Sequence, residues 1–211
     1  MDLDLLLSSA LSSAVTLFIV VDPLGLAPAF VAVTEGMPAT ARNQVGWRAT
    51  AIAVVVLAGA ALIGDWLLRH LGIGLPAFRI AGGVLLFAVA SEMVLGGRIE
   101  RQSREAEQAI EERVRHVAAF PLAIPLMAGP GALTAVILLA GEVGGAPVGL
   151  ATLMGIIVAV CAVCLAVFRF AARISGWLGI TGNVVLSRLL GVLLAALAVQ
   201  YVIDGTKAVW G

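Results

Sequence analysis

Six apolar runs divide the chain: Leu5–Val33, Val45–Leu68, Leu75–Leu95, Val117–Ala140, Val148–Phe168 and Val184–Val202. Each is close to or above the roughly 20 residues that a helix needs to cross the hydrocarbon core of a bilayer. Connections between them are short except for Gly96–His116. The pattern predicts an all-α integral membrane protein of six transmembrane helices. Two of the runs are interrupted near their middle. Pro23 lies in Ile19-Val-Val-Asp-Pro-Leu-Gly25 and Pro130 in Leu126-Met-Ala-Gly-Pro-Gly-Ala132. A proline inside a helix removes a donor and clashes with the carbonyl four residues back, here those of Ile19 and Leu126. Inside a membrane the freed polar groups are tolerated only where protein or a water-filled cavity covers them. Spans 1 and 4 are therefore expected to be broken at mid-membrane.

Composition agrees: 61% of the 211 residues are hydrophobic and 12% charged, with a mean hydropathy of +1.08. No aqueous domain remains to hold soluble chemistry, and a net charge of zero gives no reason to expect nucleic acid as a partner. The expected partners are the lipid bilayer and a small-molecule substrate, with oligomerisation left open. The acidic start Met-Asp-Leu-Asp does not resemble a cleaved signal, so the first run is expected to be a permanent span. Cys161 and Cys164 form a C-x-x-C within the fifth run, without a second pair or a nearby His. They read as small apolar residues sharing a helix face rather than as a redox or metal site.

Six spans place both termini on one side. One face then carries ten arginines: Arg42, Arg48, Arg98, Arg101, Arg104, Arg113, Arg115, Arg169, Arg173 and Arg188. The other carries only Arg69, Arg79 and Lys207. Positive charge marks the cytoplasmic face. The expectation is a multi-pass protein of the bacterial inner membrane with both termini outside and the 97–116 loop cytoplasmic. Trp66, Trp177 and Trp210 lie near run ends, where interfacial aromatics belong. In the loop, Glu100–Arg104, Arg101–Glu105 and Glu111–Arg115 have the spacing of a solvated surface helix.

Pro23 and Pro130 are 107 residues apart, and the same offset superimposes Leu71-Gly-Ile73 on Leu178-Gly-Ile180. Two further residues bring Arg79-Ile-Ala-Gly82 onto Arg188-Leu-Leu-Gly191 and Gly96 onto Gly205. The chain reads as a first three-helix repeat (1–96), a charged linker (97–116) and a second repeat (117–211). Three is odd, so the second repeat runs inverted, an architecture of many secondary carriers whose sites lie between broken helices.

At the first break, Asp22-Pro23-Leu24-Gly25 places proline at the first position of a half-helix, leaving the amides of Leu24, Gly25 and Leu26 without helical partners. At the second, Gly129-Pro130-Gly131-Ala132 does the same for Gly131, Ala132 and Leu133. Each such N-terminus carries about half a positive charge, and two of them facing each other would hold a carboxylate. Asp22 is the one carboxylate well inside a run and must be paired or protonated there. It can bind an ammonium group, carry a coupling proton or cap the half-helix. Thr134, with Thr16 and Ser13 behind it, is a further candidate for lining the site. Asp65, Glu92 and Asp204 lie near span ends within reach of water. Arg79 and Arg188 are expected to snorkel to the interface, binding an anion or Asp22 being the alternative. Pro28, Pro121 and Pro125 add kinks beside the breaks, and Pro121 can start the fourth span.

The stretches Val21-Asp-Pro-Leu-Gly-Leu-Ala-Pro-Ala-Phe30 and Phe120-Pro-Leu-Ala-Ile-Pro-Leu-Met-Ala-Gly-Pro-Gly-Ala-Leu-Thr134 resemble the MarC family, also called the six-span neutral amino acid transporter family. It is related to the LysE-type exporters. The resemblance implies an inner-membrane carrier, some of whose relatives move alanine or glycine. It carries over to Asp22, Pro23, Gly25, Pro28, Gly129, Pro130, Gly131 and Thr134. A zwitterion would find two helix N-termini for its carboxylate and Asp22 for its ammonium group. The expected function is secondary-active transport of small neutral amino acids, export included, by alternating access. Drug or metabolite efflux, a channel and a non-transporting regulatory protein are the alternatives. An enzyme is not expected, because Asp22 has no partner carboxylate within a run and no H-E-x-x-H occurs. No cofactor is expected beyond a coupling proton or sodium ion.

Overall fold

The computed structural model describes residues 3–98, 101, 118–144 and 146–210. The described residues form α1 (Leu3–Val21), α2 (Leu26–Val33), α3 (Ala39–His70), α4 (Leu75–Leu95), α5 (Ala118–Met127), α6 (Pro130–Glu142), α7 (Pro147–Arg169) and α8 (Ala171–Trp210). α5 is wound as a π-helix, and the bond from the Ala128 amide to the Ala123 carbonyl, 2.8 Å long, spans five residues in the same way. Most of the 97–116 linker lies outside the described residues, and with it the pairs Glu100–Arg104, Arg101–Glu105 and Glu111–Arg115.

Among the described residues, four helices are long and apolar enough to cross a membrane: α3, α4, α7 and the Thr181–Trp210 part of α8. A fifth candidate is the pair Ser8–Val21 and Leu26–Val33, bent by 44° at the break around Pro23. The fourth apolar run of the sequence is not one helix. Its proline and glycines divide it into α5 and α6, each too short to span alone. At the other extreme, α8 runs far beyond the expected Val184–Val202, its first turns joined to the rest through a kink at Gly179 (φ 59°, ψ −177°). That φ suits glycine, which has no Cβ to clash.

Tight helix contacts are made through small residues, as in membrane bundles generally. α4 and α8 pack antiparallel along their length. A Cβ on Gly83 would lie 2.6 Å from the Ala198 carbonyl oxygen, one on Gly191 2.8 Å from Met93 Cβ, and one on Gly205 2.8 Å from the Pro76 carbonyl oxygen. Between α2 and α7 the rings of Phe30 and Phe168 stack at 4.4 Å. Cys161 and Cys164 are free and buried in the core face of α7.

Candidate solute site at the two helix breaks

The two breaks are built differently. After α1, Asp22 turns into the left-handed region (φ 54°), which Asp tolerates better than most side chains. Its Oδ1 accepts a bond from the Gly25 amide at 3.1 Å, and its carbonyl accepts one from the Leu26 amide at 3.2 Å. α2 therefore starts at Leu26, three residues later than the expected start at Pro23. Two of the three amides expected to be free, those of Gly25 and Leu26, are already bonded within the break. Gly25 is required here, because a Cβ would collide with the Asp22 carboxylate. The first break is closed on itself.

At the second break Pro130 is the first residue of α6, as expected, and Gly129 precedes it in an extended conformation with no side-chain cap. Leu133 donates to the Gly129 carbonyl at 3.0 Å, so its amide is not free as expected. The amides of Gly131 and Ala132 come before that first intrahelical bond. The Ile124–Pro125 peptide is cis, and a Cβ on Gly129 would strike the Pro125 carbonyl oxygen. α6 thus presents an uncapped, positively polarised N-terminus.

That end opens on a cavity of about 210 Å³, whose walls include Gly129, Pro130, Gly131 and Ala132. Asp22, Pro23, Leu24, Gly25 and Thr134 do not line it. Thr134 is buried with its methyl group toward Gly82 of α4, and Thr16 is buried as well. The first break reaches the cavity through Val20, whose Cγ1 would lie 3.5 Å from a Cβ on Gly131. The C-terminal end of α1, rather than the N-terminus of α2, therefore meets the N-terminus of α6.

Arg98 was expected in the solvated linker and is instead only 5% exposed. α4 ends at Gly96 in the left-handed conformation (φ 88°), and the chain folds back so that Arg98 Nη2 donates to the Val20 carbonyl at 2.8 Å. This carbonyl lies beside the break. Among the described residues, Arg98 Nε and Nη1 have no hydrogen-bond partner. Burial lowers the Arg98 pKa from its ordinary value, Asp22 raises it, Arg101 lowers it and Glu92 raises it. A guanidinium starts so high that it remains a cation at neutral pH. Asp22, 2% exposed, is its counter-charge. In the wall of the cavity, Arg101 Nη1 donates to Glu92 Oε1 at 3.1 Å and lies 2.8 Å from Oε2. Glu92, Arg98 and Arg101 all line the cavity. The one sequence signal for Arg98 is Gly96, a residue suited to ending α4 and reversing the chain.

The other polar residues lie apart from this site. Arg79 pairs with Glu142 at 3.8 Å rather than with Asp22. Asp65 pairs with Arg69, and Asp204 accepts a bond from Gln200 at 2.8 Å.

The sequence profile of MarC family integral membrane proteins matches residues 7–210. The chain belongs to the MarC family. Its relatives include a membrane protein of Archaeoglobus fulgidus, 38% identical, the match covering 97% of this chain and 95% of the relative. The membrane protein YhcE of Escherichia coli is 33% identical, with 92% and 90% covered. YvbG of Bacillus subtilis, also a membrane protein, is 31% identical, with 93% of each covered. No solved structure matches the chain. Membership makes it a multi-pass integral membrane protein in contact with lipid, and both MarC breaks lie within the matched region.

Proposed function

We propose that this MarC protein is a secondary carrier for small neutral amino acids of alanine or glycine size, working by alternating access. The observation that carries the proposal is the cavity between the second break and the end of α1, faced by an uncapped helix N-terminus and by charges of both signs. At about 210 Å³ it falls below the roughly 300 Å³ at which pockets for drug-sized ligands begin. That size favours a small solute over multidrug efflux. An uncapped helix end attracts a carboxylate.

The proposed architecture is six spans in two inverted repeats, 1–96 and 117–211, with α1–α2 and α5–α6 as the broken first and fourth spans. Three features support it. Gly72 and Gly179, superimposed by the 107-residue offset, are both left-handed, with φ of 70° and 59°. The same offset carries α3 onto α7 together with the first turns of α8. α4 and its counterpart in α8 pair antiparallel through glycines of both helices. In the proposed orientation both termini lie outside an inner (plasma) membrane and the linker is cytoplasmic. Transport is driven by a proton or sodium gradient, or by exchange.

The test is uptake and export of an amino-acid panel by the protein in liposomes, with and without each gradient. The expected result is saturable flux of alanine or glycine that shows counterflow and is lost in Gly131→Leu. Flux far above carrier turnover without counterflow would indicate a channel. No flux of any amino acid would overturn the proposal.

A further inference from the structure

Arg98 is a buried cation with more donors than the described residues satisfy. One nitrogen holds the Val20 carbonyl, while Nε and Nη1 have no partner among the described residues. Asp22 offsets the charge, while its Oδ1 accepts from the Gly25 amide rather than from the guanidinium. Leaving buried donors unmet is costly, more so on a charged group, and such a group bordering a cavity is satisfied by what enters the cavity. The wall shared with Arg98 includes Gly131 and Ala132, the residues whose amides lack helical acceptors. Two independent sets of donors thus border one small space.

Glu92 lines the same cavity. Its partner Arg101 is about half exposed, so the pair is weakly held and the carboxylate is available to a competing cation. With Asp22, the formal charges of Glu92, Arg98 and Arg101 cancel. A zwitterion leaves that balance intact, whereas an anion or a cation would add an uncompensated charge.

Building on the carrier reading, we infer that Arg98 and the α6 amides receive the solute's carboxylate and that Glu92 receives its ammonium group. Asp22 then touches no solute. It closes the turn before α2 through the Gly25 amide and compensates Arg98.

The experiment titrates the full-length protein in lipid nanodiscs with L-alanine, with L-alaninamide, which lacks the carboxylate, and with propionate, which lacks the ammonium group. The wild-type protein binds alanine most tightly. Arg98→Gln weakens alanine and propionate by about 10- to 100-fold, the range for losing hydrogen bonds to a charged group, and leaves alaninamide within about twofold. Glu92→Gln does the reverse, weakening alanine and alaninamide and sparing propionate. If Arg98 only ties α4 to α1, Arg98→Gln lowers the melting temperature and weakens all three probes alike, which overturns the inference. Should Arg98→Gln not fold, Arg98→Lys serves. It keeps the charge but not the planar fork, and unchanged selectivity among the probes would overturn the assignment. Wild-type alanine binding that both variants retain removes the receptor assignment alone. Wild-type protein that neither binds nor transports alanine removes the carrier reading with it.

Discussion

The two breaks start from the same sequence device, a proline with a glycine within two residues in the middle of an apolar run, and end as opposites. At the first, the residue before the proline is Asp22, and its carboxylate bonds the Gly25 amide. At the second, that residue is Gly129, which has no side chain with which to cap α6. Neither helix has a side-chain cap, but the turn that Asp22 closes also supplies carbonyls to the Leu26 and Ala27 amides, whereas the amides of Gly131 and Ala132 are left for a ligand. The first break is a closed joint that holds Arg98 by its charge and by the Val20 carbonyl. The second is the open wall of a cavity.

The comparison can be broken most severely at Asp22. Asp22→Ala removes the bond to the Gly25 amide and leaves Arg98 a buried charge without compensation, an error that typically costs about 3–5 kcal/mol. A thermal melt in detergent is expected to show a large loss of folded protein, with Asp22→Asn falling between it and wild type because the amide oxygen can still accept from Gly25. Equal stability of Asp22→Ala and wild type would show that the first break is not held by its carboxylate. Next comes Gly129→Ala, whose Cβ strikes the Pro125 carbonyl oxygen; overpacking of this kind costs about 1–3 kcal/mol, again read as a lower melting temperature.

Gly131 sharpens the contrast between stability and binding. A Cβ there would lie 3.2 Å from Val89 Cγ2, a contact that a small side-chain shift relieves. Gly131→Ala is therefore expected to cost under about 1 kcal/mol while weakening alanine binding several-fold by narrowing the cavity. Unchanged binding would move the solute away from α6. The smallest effect is expected at Asp65→Asn, which removes a solvent-exposed pair with Arg69 that does not line the cavity. It should change stability by no more than about 0.5 kcal/mol and leave transport untouched.

Much of the helical framework was legible before the structure. The fourth helix has the bounds Leu75–Leu95 in both, because Gly74-Leu-Pro76 and Gly96 punctuate an uninterrupted apolar run. Pro130 at the start of α6 follows from its missing donor. The start of α2 at Leu26 was not legible. Asp22 can cap a proline-led helix or turn left-handed and bond Gly25, and the burial of Arg98 beside it became visible only with the tertiary packing. Arg98 itself was hidden by its neighbours. It begins a stretch where arginine and glutamate recur at helical spacing, a pattern that usually means a solvated surface. The cavity followed from neither motif alone, because its walls come from α4, the end of α1, the turn after α4 and the second break. Six spans are a reading of the apolar runs; among the described residues four helices and one bent pair meet the length and composition of a span.

The central claim, that the second break receives the solute and the first does not, is tested most directly by following backbone amides. Glycine-selective ¹⁵N labelling of the full-length protein in micelles reports Gly25, Gly129 and Gly131 in one spectrum. Titration with L-alanine is expected to shift the Gly131 amide and to leave the Gly25 amide, bonded to Asp22, in place. A shift at Gly25 with Gly131 unmoved would contradict the claim.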